Sequence, residues 1–336
     1  MQSVKEMRKK TGMNINDKIY LAGHTGLVGS AILRLLQQKG FRYIITENSA
    51  ELDLREQNTV RKFFQKEKPQ YVFLAAAKVG GIMANKRYGA EFIYDNLAVQ
   101  NNVIHEAYRS GVEKLLFLGS SCIYPKMAAQ PIKEDYFMTG ALEPTNAPYA
   151  MAKIAGIEMC KAYHQQYGCR FISVMPTNLY GPGDSYDLEN AHVLPALIRK
   201  FYEAKIKNEP TVTIWGTGKP RREFLHVDDA AAACIFLMDE YEDSSIINIG
   251  CGKDYTIKEM AKAIKNIMDF TGELVFDTTK PDGTMQKLLD VTKLNNQGWK
   301  HSINLLEGLA ATCKDFSNRY EYYISKKRIN SSTNNV

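Results

Sequence analysis

Short apolar runs alternate with amphipathic stretches along the first half of the chain. Residues 19–22, 43–46, 71–75, 115–118 and 171–174 are compact, apolar and rich in β-branched or aromatic side chains, which predicts buried strands. Between them, residues 29–38, 57–67, 92–110 and 149–166 carry apolar positions at helical spacing. Strand and helix in regular alternation predict an α/β fold with a doubly wound parallel sheet of the Rossmann type. No internal repeat interrupts this pattern.

The second half is more broken. Asn178-Leu-Tyr-Gly-Pro-Gly183 is a turn-rich exit from the regular alternation. Helical patterns follow at 193–204, 228–238 and 257–268, and a strand pattern at 246–249 ends in Gly250-Cys-Gly252. The expected organisation is a flexible extension over 1–17 and a dinucleotide-binding Rossmann domain over 18–180. A smaller C-terminal α/β substrate domain is expected over 181–222 and 251–322, with residues near 223–250 returning to the first sheet and a flexible tail over 323–336.

Composition adds limits rather than a function. The 336 residues are 45% hydrophobic and 24% charged, as in an ordinary globular protein. The net charge of +6 is partly local, with Lys5, Arg8, Lys9 and Lys10 near the start and Lys326, Lys327 and Arg328 near the end. Solvated tails explain these clusters more simply than nucleic-acid or membrane binding. The six cysteines, Cys122, Cys160, Cys169, Cys234, Cys251 and Cys313, form no C-x-x-C pair and no zinc-finger spacing, so no metal site is expected and a reduced, cytoplasmic compartment fits. The first twenty residues lack an apolar core, and no apolar run is long enough to span a bilayer.

The candidate chemistry sits at strand ends. Gly23-His-Thr-Gly26-Leu-Val-Gly29, which includes Thr25, Leu27 and Val28, follows the first strand and opens the first helix. Glycines there allow a tight turn and close approach to a pyrophosphate, and the helix N-terminus favours its charge. Glu47, at the end of the second strand, is placed to bind a ribose 2′-hydroxyl, although Asn48 and Ser49 compete for that place. Asp53 is either an adenine-edge contact or a plain loop residue. Ser120 or Ser121, in Leu118-Gly-Ser-Ser-Cys122, is placed either to bond a substrate carbonyl or to satisfy local backbone. Tyr149 and Lys153, four residues apart, share a helix face, and a lysine ammonium near a phenol favours proton transfer to a carbonyl oxygen.

Cys122 and His192 extend that site. As isolated residues they read as a small buried hydrophobe and a structural imidazole. Together near a carbonyl they form a pair that can remove a proton from a neighbouring carbon and return one on the opposite face. In Trp215-Gly-Thr-Gly-Lys-Pro-Arg-Arg-Glu-Phe-Leu-His-Val-Asp-Asp229, Arg222 suits a pyrophosphate clamp or an ion pair with Asp228 or Asp229.

Long strings carry a resemblance. Ala75-Ala-Ala-Lys-Val-Gly-Gly-Ile82, Leu116-Phe-Leu-Gly-Ser-Ser-Cys-Ile-Tyr-Pro-Lys126, Glu143-Pro-Thr-Asn146 with Pro148-Tyr149, Met175-Pro-Thr-Asn-Leu-Tyr-Gly-Pro182, Lys280-Pro-Asp-Gly-Thr284 and Lys287-Leu-Leu-Asp290 resemble the GDP-L-fucose synthase family. These are bifunctional 3,5-epimerase/4-reductases of the extended short-chain dehydrogenase/reductase superfamily. The resemblance implies a GDP-4-keto-6-deoxy-D-mannose type of substrate. It casts Tyr149 as the proton donor to the C4 oxygen and Ser120 as the carbonyl orienter. Lys153 would lower the tyrosine pKa and hold the nicotinamide ribose, while Cys122 and His192 would be base and acid of epimerisation. It also places Leu118, Pro176, Asn178, Leu179 and His192 along the cofactor, and Asn178, Lys200, Trp215, Arg222 and Asp282 at the substrate. A homodimer is implied, with no nucleic-acid or membrane partner.

Three departures bear on ligands. Lys200 stands where the family pattern has arginine, and Thr25 stands where an arginine touches the 2′-phosphate of NADP. A second family arginine after strand two is also missing, with Glu47, Asn48 and Ser49 in its neighbourhood. The resemblance therefore implies NADP(H), while Thr25 and Glu47 favour NAD(H). A GDP-4-keto-heptose as substrate, and a dinucleotide-sensing protein without catalysis, are the competing readings. The presence of Ser120, Tyr149 and Lys153 together argues against the second.

Overall fold

A computed structural model describes residues 12–325 except 189, 190 and 281, with backbone alone at Ile82. The first half contains β1 (Lys18–Ala22), α1 (Leu27–Gln38), β2 (Tyr43–Ile45), α2 (Gln57–Glu67), β3 (Tyr71–Leu74), α3 (Ile82–Arg87), α4 (Gly89–Arg109), β4 (Lys114–Leu118), α5 (Ala147–Tyr167) and β5 (Arg170–Pro176). The second half adds β6 (Asn178–Tyr180), α6 (Val193–Ile206), β7 (Thr211–Trp215), β8 (Arg221–His226), α7 (Val227–Glu240) and β9 (Ile247–Ile249). It continues through β10 (Asp254–Thr256), α8 (Ile257–Ile267), β11 (Glu273–Asp277), β12 (Gln286–Lys287), α9 (Thr292–Asn296) and α10 (Leu305–Asn318).

The main sheet runs β2-β1-β3-β4-β5-β9 with every pairing parallel. Its central strands are apolar throughout because helices cover both faces. On one face α1 and α7 pack over Ile19, Leu21, Phe73, Leu116 and Ile172. On the other, α2, α4 and α5 pack over Tyr20, Val72, Leu115, Phe117 and Phe171. The strand order reverses between β1 and β3, and the carboxyl ends there open the crevice used by ligands in such sheets. The predicted doubly wound α/β sheet is thus present. Residues 227–249 supply α7 and the edge strand β9 to it.

A third apolar cluster joins α6, α8 and α10 around Leu197, Ile198, Phe201, Met260, Ile264, Leu309 and Phe316. Beside it, β8 pairs with β6 and β12 in parallel and with β10 antiparallel, and β7 pairs with β11. The short strands β6, β7, β8, β10, β11 and β12 and the helices α3, α9 and α10 are absent from the sequence expectation, and β8 lies in the stretch 215–229 expected to be a loop. β12 has only two residues and no alternation to read, and β7 and β11 find their backbone partners in each other across the chain.

Glu223, fully buried on β8, ties three stretches together. Its carboxylate accepts N–H groups of Cys251 at 2.6 Å, Gly252 at 2.7 Å and Leu289 at 3.0 Å. The segment after β12 is thereby clamped to β8. On its other side, the Ile132 N–H donates to Leu288 O and the Asp290 N–H to Ile132 O.

Two terminal expectations change. Residues 13–17 are held rather than free: the Met13 N–H donates to the Asp239 carboxylate at 2.8 Å and the Arg42 N–H to Ile15 O at 2.9 Å. Tyr323, assigned to a flexible tail, packs on Tyr186 and Phe316 and accepts the Gly183 N–H at 3.0 Å. Residues 1–11 and 326–336, with the basic clusters at both ends, lie outside the described residues.

Lys114 on β4 is wholly buried, and its ammonium meets the Glu242 carboxylate at 3.0 Å and Leu237 O at 3.2 Å. Arg170 holds the same carboxylate through two N–H donors. Burial would raise the Glu242 pKa, but Arg170 and Lys114 hold it down at about 2. Glu242→Gln leaves the buried ammonium uncompensated and should cost about 3 kcal/mol in urea unfolding at pH 7. Because the carboxylate value is depressed, the difference between wild type and variant should shrink as pH falls from about 4.5 toward 2. A variant within 0.5 kcal/mol, roughly the effect of an ordinary surface substitution, would show that the pair does not matter.

Candidate active site

The glycine turn after β1 is shaped by close backbone packing. Gly23 has φ +87°, and a Cβ there would meet Ala76 N at 2.6 Å. A Cβ at Gly29 would lie 2.0 Å from Gly23 O, so only glycine fits. α1 starts at Leu27 behind Gly26, which supplies no side-chain cap, and its first turn holds no acidic residue. Its leading N–H groups therefore face the crevice, as an anionic pyrophosphate requires. His24 adds a buried Nδ1 without a hydrogen-bond partner in the protein, a residue the sequence reading did not single out. This cradle fits a dinucleotide, with Thr25 exposed at its rim and Leu27 and Val28 in the first turn of the helix.

Along the second strand, Glu47 is partly buried and close enough to Tyr20 to raise that phenol. Asp53 is engaged elsewhere: its carboxylate binds the Arg55 guanidinium, with the shortest contact 2.7 Å. Leu118 O accepts from the Lys153 ammonium at 2.8 Å, which fixes that lysine against the end of β4. Pro176 ends β5 and Leu179 lies in β6, whereas the Asn178 amide donates to Glu223 O at 3.0 Å.

Ser120, Cys122, Tyr149 and Lys153 converge beyond the end of β4. Ser120 Oγ accepts the Cys122 N–H at 3.2 Å, so the serine does cap its own turn, and it also shares a hydrogen bond with the Tyr149 phenol. Phe92 on α4 meets the Tyr149 ring edge-on, with centroids 6.3 Å apart, and limits its tilt. Tyr149 remains partly accessible but is crowded by its neighbours. Burial raises its pKa, the nearby Cys122 adds to the rise, and the Ser120 bond opposes it. Lys153 is not among the groups that shift the phenol here. Lys153 is itself buried, over the Phe117 ring, and desolvation brings it down to about 7.

Lys287 is the residue that sequence reasoning missed. β12 pairs with β8 so that Lys287 lies opposite Arg222, and its ammonium approaches Cys122 Sγ at 3.6 Å. It also lowers His192, after burial, which is the larger cause. His192 is solvent-accessible at the start of α6 and yet enclosed by cleft walls that desolvate it. Lys287 thus adjoins both members of the thiol–imidazole pair. Its string belongs to the resembling segments, but a lone lysine after a loop carries no chemical signature of its own.

The remaining predicted residues divide. Arg222 is not in an ion pair with Asp228 or Asp229, because Asp228 binds Arg34 at 2.6 Å and Asp229 accepts from Ser302 and Ile303. It donates to the carbonyls of Arg221 and Thr284, and burial lowers its pKa against the opposing pull of Cys122. Trp215 is half-exposed, with Lys200 and Lys280 over its ring at 5.5 and 5.7 Å. Asp282 ties down the following turn, accepting the Thr217 N–H at 2.9 Å and its hydroxyl at 2.7 Å. A tryptophan face beside two ammonium groups suits a purine base with an attached phosphate.

The family model described as the NAD dependent epimerase/dehydratase family matches residues 19–250. The chain is 56% identical over 307 residues to GDP-L-fucose synthase 1 of Arabidopsis thaliana, covering 91% of this chain and 93% of that protein. It superposes with a TM-score of 0.86 on a GDP-L-fucose synthetase from Naegleria fowleri bound to NADP, at 30% identity, covering 92% of this chain and 97% of that one. A GDP-mannoheptose C4 reductase from Campylobacter jejuni with NADP bound gives a TM-score of 0.82 at 44% identity, covering 91% of this chain and all of that one.

Lys153 also makes a stability prediction. Its folded pKa of about 7 lies below the ordinary 10.5, so burying the ammonium costs stability in full below pH 7. That cost fades as pH rises from about 7 toward 10.5. Lys153→Met should therefore raise the melting temperature by several degrees at pH 6 and by much less at pH 10, while abolishing reduction. An equal shift at both pH values would show that the lysine is not desolvated.

Proposed function

The chain belongs to the NAD dependent epimerase/dehydratase family and, within it, to the GDP-L-fucose synthases, and from that premise we propose that it converts GDP-4-keto-6-deoxy-D-mannose to GDP-L-fucose. It is an NAD(P)H-dependent epimerase and reductase. The observation that carries the bifunctional reading is the placement of Cys122, which faces the same cleft as Tyr149 and lies 3.6 Å from Lys287.

The C4 carbonyl acidifies the hydrogens on C3 and C5. Cys122, with the Lys287 ammonium stabilising negative charge on its sulfur, removes such a proton. His192, as the imidazolium, donates a proton to the opposite face and so inverts the centre; burial and Lys287 lower its pKa, which makes the protonated ring a readier donor. Reduction follows. When bound, the reduced nicotinamide supplies the hydride that adds to C4. Ser120 orients the carbonyl, and Tyr149 gives its proton to the C4 oxygen. A raised phenol pKa suits this role, because the donor must be protonated when the oxygen gains charge. Lys153 stabilises the resulting phenolate and holds the cofactor ribose, while Arg222, Lys200 and Trp215 hold the GDP portion.

The cofactor is read as NADPH with weak discrimination. The Naegleria synthetase is named with NADP, whereas Thr25 and Glu47 remove two arginine contacts to a 2′-phosphate and add a carboxylate. A charge-assisted contact is worth about 1.5–3 kcal/mol. The kcat/KM advantage of NADPH over NADH should therefore stay within about tenfold, and an advantage above about a thousandfold would refute the reading. The six cysteines are all free thiols, in keeping with a cytoplasmic protein. The outer face of α4 and α5, with Tyr94 and Met151 exposed, supports a homodimer.

A second reading changes the sugar to a GDP-4-keto-heptose. It is favoured by the 44% identity to the Campylobacter reductase and by Lys200 in place of arginine. Turnover of each substrate, with the product stereochemistry determined, separates the two.

Variants test the division of labour. Tyr149→Phe should lower reduction by at least about a hundredfold while leaving solvent deuterium exchange at C3 and C5 measurable. Cys122→Ser should suppress exchange far more than reduction of an already epimerised substrate. Equal losses in both steps for either variant would contradict the assignment.

A further inference from the structure

The Cys122 turn and the Lys287 strand are 165 residues apart in sequence, yet the thiol and ammonium meet in the cleft. One fully buried side chain connects what holds them. Asn248, in the edge strand β9, uses every polar atom of its amide. Its Oδ1 accepts the Tyr124 hydroxyl at 2.6 Å, and Tyr124 directly follows the short helical turn Ser121–Ile123 that contains Cys122. Its Nδ2 donates to Ile132 O and to Asp290 O, both at 3.0 Å. Ile132 in turn exchanges backbone hydrogen bonds with Leu288 and Asp290, on the segment that carries Lys287. The Asn248 N–H, at the free edge of the sheet, donates to the Glu134 carboxylate at 3.0 Å.

We infer that Asn248 is a positioning residue that sets the Cys122–Lys287 pair, and that it therefore acts on epimerisation more than on reduction. The argument is geometric. A carboxamide is the side chain that can accept from Tyr124 and donate to two carbonyls at once. The thiol is fixed from one side of Asn248, and the ammonium from the other. Tyr149 and Lys153 stand on α5, and Lys153 is anchored to Leu118, so that pair does not depend on this bridge, whereas Ser120 shares the Cys122 turn and gives reduction its smaller dependence on it. The inference rests on the reading of Cys122 as the base.

Tyr124→Phe removes one hydroxyl and leaves the ring in place, while Asn248→Asp keeps the acceptor and removes both donors. Each purified variant is compared with the full-length wild type in three measurements. These are deuterium exchange into GDP-4-keto-6-deoxy-D-mannose without reduced cofactor, reduction of the pre-epimerised substrate, and the pH profile of Cys122 alkylation by iodoacetamide, read on its peptide. The exchange rate of Tyr124→Phe should fall about tenfold and that of Asn248→Asp further, since misplacement of a reacting group by a fraction of an ångström has that scale of effect. The alkylation profile should move to higher pH, and reduction should stay within about twofold for Tyr124→Phe. Unchanged exchange with an unmoved alkylation profile overturns the inference. So does a parallel loss of exchange and reduction with the profile unmoved, which is what a merely structural role gives. If the wild type shows no exchange, the assignment of Cys122 as base falls, and the alkylation profile alone decides the coupling: an unmoved profile overturns it.

Discussion

Glu223 brings a carboxylate into the interior of the second sheet system, and the N–H groups of Cys251, Gly252 and Leu289 gather around it. Burial raises its pKa, and those N–H donors oppose the rise. Leaving any of these groups unpaired costs more than the bond between them returns, so the three stretches are held together as a set. The neighbouring Arg222, the Asn178 amide on Glu223 O, and the strand carrying Lys287 all inherit their positions from this point. On the opposite side of the same strand, Ile132 and Asn248 provide the second set of hydrogen bonds. The wall of the cleft that comes from the C-terminal part of the chain is fixed by buried polar groups as much as by apolar packing.

Desolvation then assigns the chemistry. Tyr149 is pushed up and stays a neutral acid, Lys153 comes down to about 7, and His192 is lowered toward its neutral form. Enclosure is the largest cause of each shift, with Cys122 adding to the rise of Tyr149 and Lys287 to the fall of His192. Desolvation disfavours the charged form of each, so it raises the phenol and lowers the ammonium and the imidazole. A cleft assembled around two chemical steps at adjacent carbons gains from this economy, because the same carbonyl is the acidifying group in one step and the hydride acceptor in the next. The Lys287 ammonium lies 3.6 Å from the Cys122 sulfur and also lowers His192, after burial.

Much of this was legible in the chain itself. Apolar runs of four to five residues separated by amphipathic helices imply a parallel sheet covered on both faces, because only that arrangement buries strands with no polar side. Gly23, Gly26 and Gly29 announce the dinucleotide turn by their spacing after a strand, and at Gly23 and Gly29 the close backbone leaves no room for a Cβ. Ser120, Tyr149 and Lys153 are visible because reduction of a carbonyl needs those residue types at strand end and helix face. The tertiary structure alone decided the rest. Lys287 became a neighbour of Cys122 through a two-residue strand with no periodicity to read. Arg222 was released toward the cleft because Asp228 and Asp229 found other partners. Tyr149 is raised because the folded walls enclose it and bring Cys122 beside it. Periodicity and residue type are local properties that a sequence records, whereas desolvation and contacts between distant segments exist only once the chain has closed around them.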